Sequence, residues 1–269
     1  MRRRRRMSFA KRVMSVSPKQ TMVFVTAARA DGDYGKQMFT NGNDNFQCMN
    51  KAELTNILAL VPGADDNTEV LVKNKKSIYH FSNMESTNVL VTIYHYKFRR
   101  DENDGPGVLI SKGIADAYGS TTYDNNTYGM TPFRSQLFTK TCKIQKIIAL
   151  ELGAGRSHIH TAKWNINKIL NKSVITETDS DTTNLGGWTQ GIFIIARGEP
   201  VNDAVTTPGH TSVTPSPTAL DFVVTEKVEF VYGDPNKKQL AMTYSLPVSG
   251  LTLRQMNEET GAVANVAEA

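Results

Sequence analysis

From residue 77 onward, most of the chain outside its long connections alternates apolar and polar side chains with period two, the pattern of half-buried β-strands. Residues 142–152 show it most clearly. Cys142, Ile144, Ile148, Leu150 and Leu152 are expected on one face, and Lys143, Gln145 and Glu151 on the other. Gly153-Ala-Gly155 then turns the chain into a strand over 157–164. Further strands are predicted at 21–26, 77–82, 88–98, 192–196, 220–232 and 240–246. The stretch 192–196 is wholly apolar and reads as a central strand, while 220–232 directs Leu220, Phe222, Val224, Val228 and Phe230 inward. Both faces of 88–98 are apolar, as suits a strand covered by the core on one side and by a neighbour or an insertion on the other.

The helical period is rare by comparison. Over 50–61, Leu54, Ile57, Leu58 and Val61 form one stripe. Asn50 and Glu53 have the spacing of a capping box, and Pro62-Gly63 ends the segment. A second short helix is predicted at 110–118, closed by Gly119. Residues 28–49 read as loop, and long polar connections fall at 99–139, 172–190 and 199–218. The last contains Thr214-Pro-Ser-Pro217, which is expected to stay out of any sheet. Seven or eight strands with few helices and long insertions predict an all-β fold: a single antiparallel eight-stranded jelly-roll sandwich. The expected organisation is a disordered basic N-terminal arm over 1–20, a jelly-roll domain over 21–253 and a frayed tail over 254–269.

Charge sharpens that division. Arg2, Arg3, Arg4, Arg5, Arg6, Lys11, Arg12 and Lys19 lie in a first segment without a single acid. These eight are drawn from 31 basic residues, so the rest of the chain has 23 against 26 acids, a net of −3 beneath an overall +5. Guanidinium groups grip phosphate with paired donors and need no fixed backbone shape, so the eight residues are candidate nucleic-acid contacts. With most of them engaged on single-stranded DNA, the log–log salt slope is expected at roughly −4 to −6. Phe9 is the arm's one aromatic residue, which argues against base readout there. A nuclear-localisation role is compatible with the same residues.

Candidate chemistry elsewhere is thin. His158 and His160 share a strand face, as in the HxH of cupins, but Trp164 and Asn165 occupy the places where the acidic third ligand belongs. Gly153-Ala-Gly155 lacks the Lys-Ser/Thr pair of a phosphate loop, and 101–112 ends on Lys112 where a calcium loop needs Glu. Cys48 and Cys142 form no CxxC, and Cys142 falls on the predicted core side. No catalytic constellation, metal or cofactor is expected. No run approaches the ~18 apolar residues of a membrane span, and the basic start lacks the apolar segment of a secretory signal. The chain reads as soluble and intracellular, without membrane insertion.

A set of ordered blocks in the second half resembles one family. Tyr128-Gly-Met-Thr-Pro-Phe133, Leu137-Phe-Thr-Lys140, Lys143-Ile-Gln-Lys-Ile147 running into Leu152-Gly-Ala-Gly155, His158-Ile-His-Thr161 and Asn165-Ile-Asn167 are similar to capsid proteins of circular Rep-encoding single-stranded DNA viruses, the circovirus-like group. Residues 88–94, 192–201 and 219–227 continue the resemblance, which spans roughly 75–232. It implies a jelly roll that self-assembles into a small icosahedral shell around a single-stranded DNA genome. The Arg-rich arm would face the interior. The implied partners are other copies of the chain, the genome and host nuclear import factors; the implied locations are the virion and, during assembly, the host nucleus. The arm is shorter than is usual in that family. Two other readings stay open at this point: a monomeric nucleic-acid-binding protein and a cupin-type metal-dependent enzyme.

Overall fold

The computed structural model describes residues 19–33, 35–40, 47–61, 68–118, 123–124, 126–176, 180–203, 212–232 and 244–245. Their strands are β1 (Gln20–Gly32), β2 (Met38–Thr40), β3 (Gln47–Cys48), β4 (Val70–Asn83), β5 (Val89–Phe98), β6 (Cys142–Leu152), β7 (Ser157–Leu170), β8 (Gln190–Gly198), β9 (Pro200–Asp203), β10 (Ser212–Pro215), β11 (Thr218–Tyr232) and β12 (Tyr244–Ser245). The helices are α1 (Lys51–Ala59), α2 (Pro106–Tyr118), α3 (Gln136–Thr141) and the single turn α4 (Ser173–Thr176).

The pairing is nested. β1 pairs β11, β2 and β3 both pair β8, β4 pairs β7, and β5 pairs β6, all antiparallel. A long ribbon of such pairs, rolled up, sends alternate pairs to opposite sheets. The first sheet has the order β12-β1-β11-β4-β7 and the second β2-β8-β5-β6. With β2 and β3 counted as one interrupted strand, this is the eight-stranded jelly roll that the alternation predicts. The short β12 lies parallel to β1 at Val23 and Phe24 and is the exception to antiparallel order.

Three large apolar clusters hold the layers, beside a small one in which Leu71, Val231 and Ile169 meet on the outer face of the first sheet. Between the sheets, Tyr79, Phe81, Val91, Ile93, Ile194, Leu220 and Phe222 interlock. At one end of the sandwich, α1 closes a second cluster by placing Leu54 and Ile57 against Val70, Val228 and Phe230. The α1 cap forms as its sequence predicts, with Asn50 Oδ1 accepting from Glu53 N at 2.9 Å. Glu53 reaches back one residue further than in a standard capping box, accepting from Met49 N at 2.7 Å. The third cluster lies outside the second sheet, where Leu109, Ile110 and Ile114 of α2 and Phe138 of α3 pack on Tyr94, Tyr96, Phe193 and Ile195. The apolar outer face of β5 is thus covered by the 99–141 insertion.

Several boundaries and facings differ from the sequence reading. A bulge at Gln145 lets β6 change sides, because Lys146 pairs His95 while Ile144 pairs Tyr96. Cys142 and Ile144 therefore pack in the outer cluster and Ile148, Leu150 and Leu152 between the sheets, so the five do not share one face. A bulge at Lys73 likewise breaks the alternation of β4, which hides Val70, Leu71 and Val72 as its true start. The stretch read as loop from residue 28 holds the end of β1 together with β2 and β3. Gly32 allows this close approach: a Cβ there would collide with the Thr218 side chain and with Met38. The proline-rich connection also pairs: β9 and β10 form a two-stranded ribbon ending in Pro200 opposite Pro215. Such a ribbon is all edge, so a missing N–H can face outward. α2 begins at Pro106, four residues before the apolar periodicity, because proline suits the first helical position.

Candidate nucleic-acid interface

Of the eight basic residues expected to bind nucleic acid, Arg2, Arg3, Arg4, Arg5, Arg6, Lys11 and Arg12 lie outside the described residues. Lys19 lies inside them and directly precedes β1. Its ammonium stands 3.9 Å from the Glu229 carboxylate and its side chain is 60% exposed. Glu229 also accepts from Asn74 Nδ2 at 2.9 Å and meets Lys227 at 3.2 Å. The bond from Asn74 and the nearby lysines hold its carboxyl below the usual range. Lys19 therefore stands on the outer face of the first sheet, beside β11.

That face bears no helix among the described residues. Its cross-strand rows follow from the registers. Arg29, Asp221, Ser82 and Ser157 form one; Ala27, Val223, His80 and Ile159 the next; then come Val25, Thr225, Ile78 and Thr161. Val23, Lys227, Lys76 and Lys163 follow, and then Thr21, Glu229, Asn74 and Asn165. The three lysines were not singled out in the sequence, although each lies at an outward position of its strand. Only the register aligns them.

The opposite side of the molecule is apolar in character. On the 99–141 insertion, Val108, Tyr118, Tyr123, Tyr128 and Phe133 are exposed, and Leu90 and Ile147 are exposed on the adjoining strands. Phe133, 57% exposed, edges onto Tyr94 with ring centroids 6.5 Å apart. A cleft of about 310 Å³ between α2 and α3 is lined by Gly113, Asp116, Ala117, Gln136, Leu137 and Lys140. It offers one acid and one lysine, with no nucleophile.

Two clusters of titratable side chains lie in the interior of the described residues. Lys75, fully buried, donates to Glu53 at 2.9 Å and to Glu226 at 3.0 Å, and Ser77 Oγ donates to Glu226 at 3.0 Å. Burial pushes the Glu226 carboxyl up despite Lys75, with Glu53 adding to the effect. Each of Lys75 and Glu226 interrupts an inward-facing apolar series, which is the mark in the sequence of a buried pair. Elsewhere, His158 and His160 do share a face, but they part company there. His158 packs on Phe81, while His160 Nε2 lies 2.9 Å from His95 Nε2 across the sandwich. One imidazole donates and the other accepts, so that contact needs at least one neutral ring. Burial, followed by the charge of neighbouring basic groups, holds both His95 and His160 down to about 4. Among the described residues no three His, Cys, Asp or Glu side chains converge as metal ligands. Cys142 is buried and its thiol is pushed up to about 12, which keeps it protonated and unreactive. Among the described residues no helix is long and apolar enough to cross a membrane.

No family model and no curated protein matches the chain. Among solved structures, the capsid of Penaeus stylirostris densovirus is similar at 8% identity and a TM-score of 0.33, covering 84% of this chain and 88% of that one. Merkel cell polyomavirus VP1, in complex with disialyllactose and with the GD1a oligosaccharide, is similar at 9% identity and a TM-score of 0.15, covering 79% of this chain and 78% of that one. Likenesses this loose add no weight to the strand pairing and surfaces described above.

Proposed function

We propose that the chain is a viral coat protein that self-assembles into a small icosahedral shell and packages single-stranded DNA through its N-terminal arginines. The observation that carries this reading is the junction at Lys19. There an acid-free polycationic segment passes without a spacer into the first strand of a jelly roll. The body is a stiff two-sheet tile, and the arm is a sequence-tolerant grip on phosphate. The exposed aromatic and aliphatic side chains of the 99–141 insertion suit contacts between copies, since interface cores favour tyrosine and phenylalanine. On this reading the shell belongs to a circular Rep-encoding virus, the arm also addresses the protein to the host nucleus through import factors, and the chain has no enzymatic role.

Electron microscopy and sedimentation of the purified protein test the proposal. Closed particles are expected, and deletion of residues 2–12 should leave shells without nucleic acid. A species that stays monomeric at every salt and protein concentration would point to a solitary nucleic-acid-binding protein and end the coat-protein reading. Full packaging by the truncated chain would remove the role of the arm.

A further inference from the structure

Three lysines stand abreast on the outer face of the first sheet. Lys76 of β4 is the register partner of Lys227 on β11 and of Lys163 on β7. All three are exposed. Neighbouring strands lie about 4.8 Å apart, so the three stems occupy roughly 10 Å of one surface. Like charges directly opposite one another weaken a sheet, so the row brings no benefit to the isolated fold. Lys227 is partnered by Glu229, but no described carboxylate lies within 4.0 Å of the ammonium of Lys76 or Lys163. The flanking rows supply Thr225, Thr161, Asn74 and Asn165, which are uncharged hydrogen-bonding groups. Among the described residues of the flanking rows Glu229 is the one acid, and it is already engaged by Asn74, Lys227 and Lys19.

We infer that this row is a phosphate track, the line along which the sugar–phosphate backbone of a single-stranded nucleic acid crosses the folded body. The position of Lys19 makes the track continuous with the root of the arm, so a strand held by the arginines is delivered onto the lysines. The second part of the inference rests on the coat-protein reading: the outer face of the first sheet is the inner wall of the shell, and the insertion-bearing face looks away from the genome. A lysine ammonium contacts phosphate as a point charge without base selectivity, and the neighbouring Asn and Thr side chains add contacts of the same indifferent kind.

The test uses the full-length chain and a fluorescently labelled oligothymidylate, with affinity measured across a salt series. Each lost phosphate contact lowers the magnitude of the log–log slope by about 0.7 on a single strand. The triple variant Lys76→Gln, Lys163→Gln, Lys227→Gln should lower it by about 2. Replacing Arg2–Arg6 with Gln should lower it separately by about 3.5. The double variant Lys112→Gln, Lys140→Gln, on the helices of the insertion, should leave it unchanged. A triple variant with the wild-type slope overturns the track and leaves the arm intact. An unchanged slope for the arm variant, beside a reduced one for the triple variant, removes the arm and keeps the track. An equal loss in the insertion control makes the effect one of net charge and overturns the track. Should the triple variant fail to fold, amine modification of the wild-type protein decides the matter. Oligothymidylate should protect Lys76 and Lys163 but not Lys140, and equal reactivity of all three overturns the proposal.

Discussion

The two sheets are built on the same alternation, yet their outer faces have opposite fates. On the first, Thr225, Ile78, Thr161, the three lysines and two asparagines look outward with no helix above them. On the second, Tyr94, Tyr96, Phe193 and Ile195 are sealed beneath α2 and α3, and a fringe of exposed aromatic residues surrounds the seal. The inner faces of both sheets build the shared core, while the outer faces contribute unequally. The outer faces specialise, one as a cationic plain and the other as a base for an insertion that exposes aromatic side chains.

The largest expected effect comes from unsealing the covered face. Phe193 is fully buried and stacks on Tyr94 at 4.9 Å and on Phe39 at 5.1 Å, with Phe138 edge-on at 5.8 Å. Phe193→Ala should cost about 3–5 kcal/mol in denaturant unfolding. Ile78→Ala on the open face should cost well under that, since its side chain is only partly covered. Equal costs would abolish the distinction between the faces. The next effect concerns the charge buried behind the open face. Lys75→Met strands two carboxylates and should cost about 3–5 kcal/mol at neutral pH. Burial already raises the Glu226 carboxyl, so part of that loss should return on acidification, when the proton replaces the missing cation. A variant equally unstable from neutral to acid pH would show that Glu226 does not carry the charge.

The His95–His160 contact ties the two sheets together across the core and should make stability depend on pH. Both imidazoles are held to about 4 in the fold against 6.5 in the unfolded chain. The unfolded chain therefore takes up protons first, so the pair gives full stability above about pH 6.5 and loses it progressively down to about 4. His160→Gln should flatten that part of the Tm profile by a few degrees. An unaltered profile would place the acid sensitivity elsewhere. The smallest effect on folding belongs to the fringe: Phe133→Ser with Ile147→Ser should change monomer stability within about 0.5 kcal/mol. The same pair should abolish large particles in sedimentation, and normal assembly would show that copies meet through another surface.

Much of the molecule was legible beforehand. The limits of β6, the cap of α1 and the central position of β8 follow from local pattern. The jelly roll follows from the number of strands and the length of their connections. The two errors of facing share one cause. At Lys73 and Gln145 a single extra residue reverses every later side chain, and nothing in the local composition announces it. The proline-bearing ribbon of β9 and β10 was missed because a rule about central strands does not govern a ribbon that is all edge.

By itself the sequence determined the strand-forming period, the short helices and the separation of a polycationic segment from a mildly acidic body. All of these depend on residues near one another along the chain. The tertiary structure alone decided that Lys227, Lys76 and Lys163 stand in one row, that Lys75 meets Glu226 across 151 positions, and that His160 finds His95. Strand register is set by pairing between distant segments and by the bulges that shift it. Which charges become neighbours is therefore a property of the rolled sheet and cannot be read from any single stretch of it.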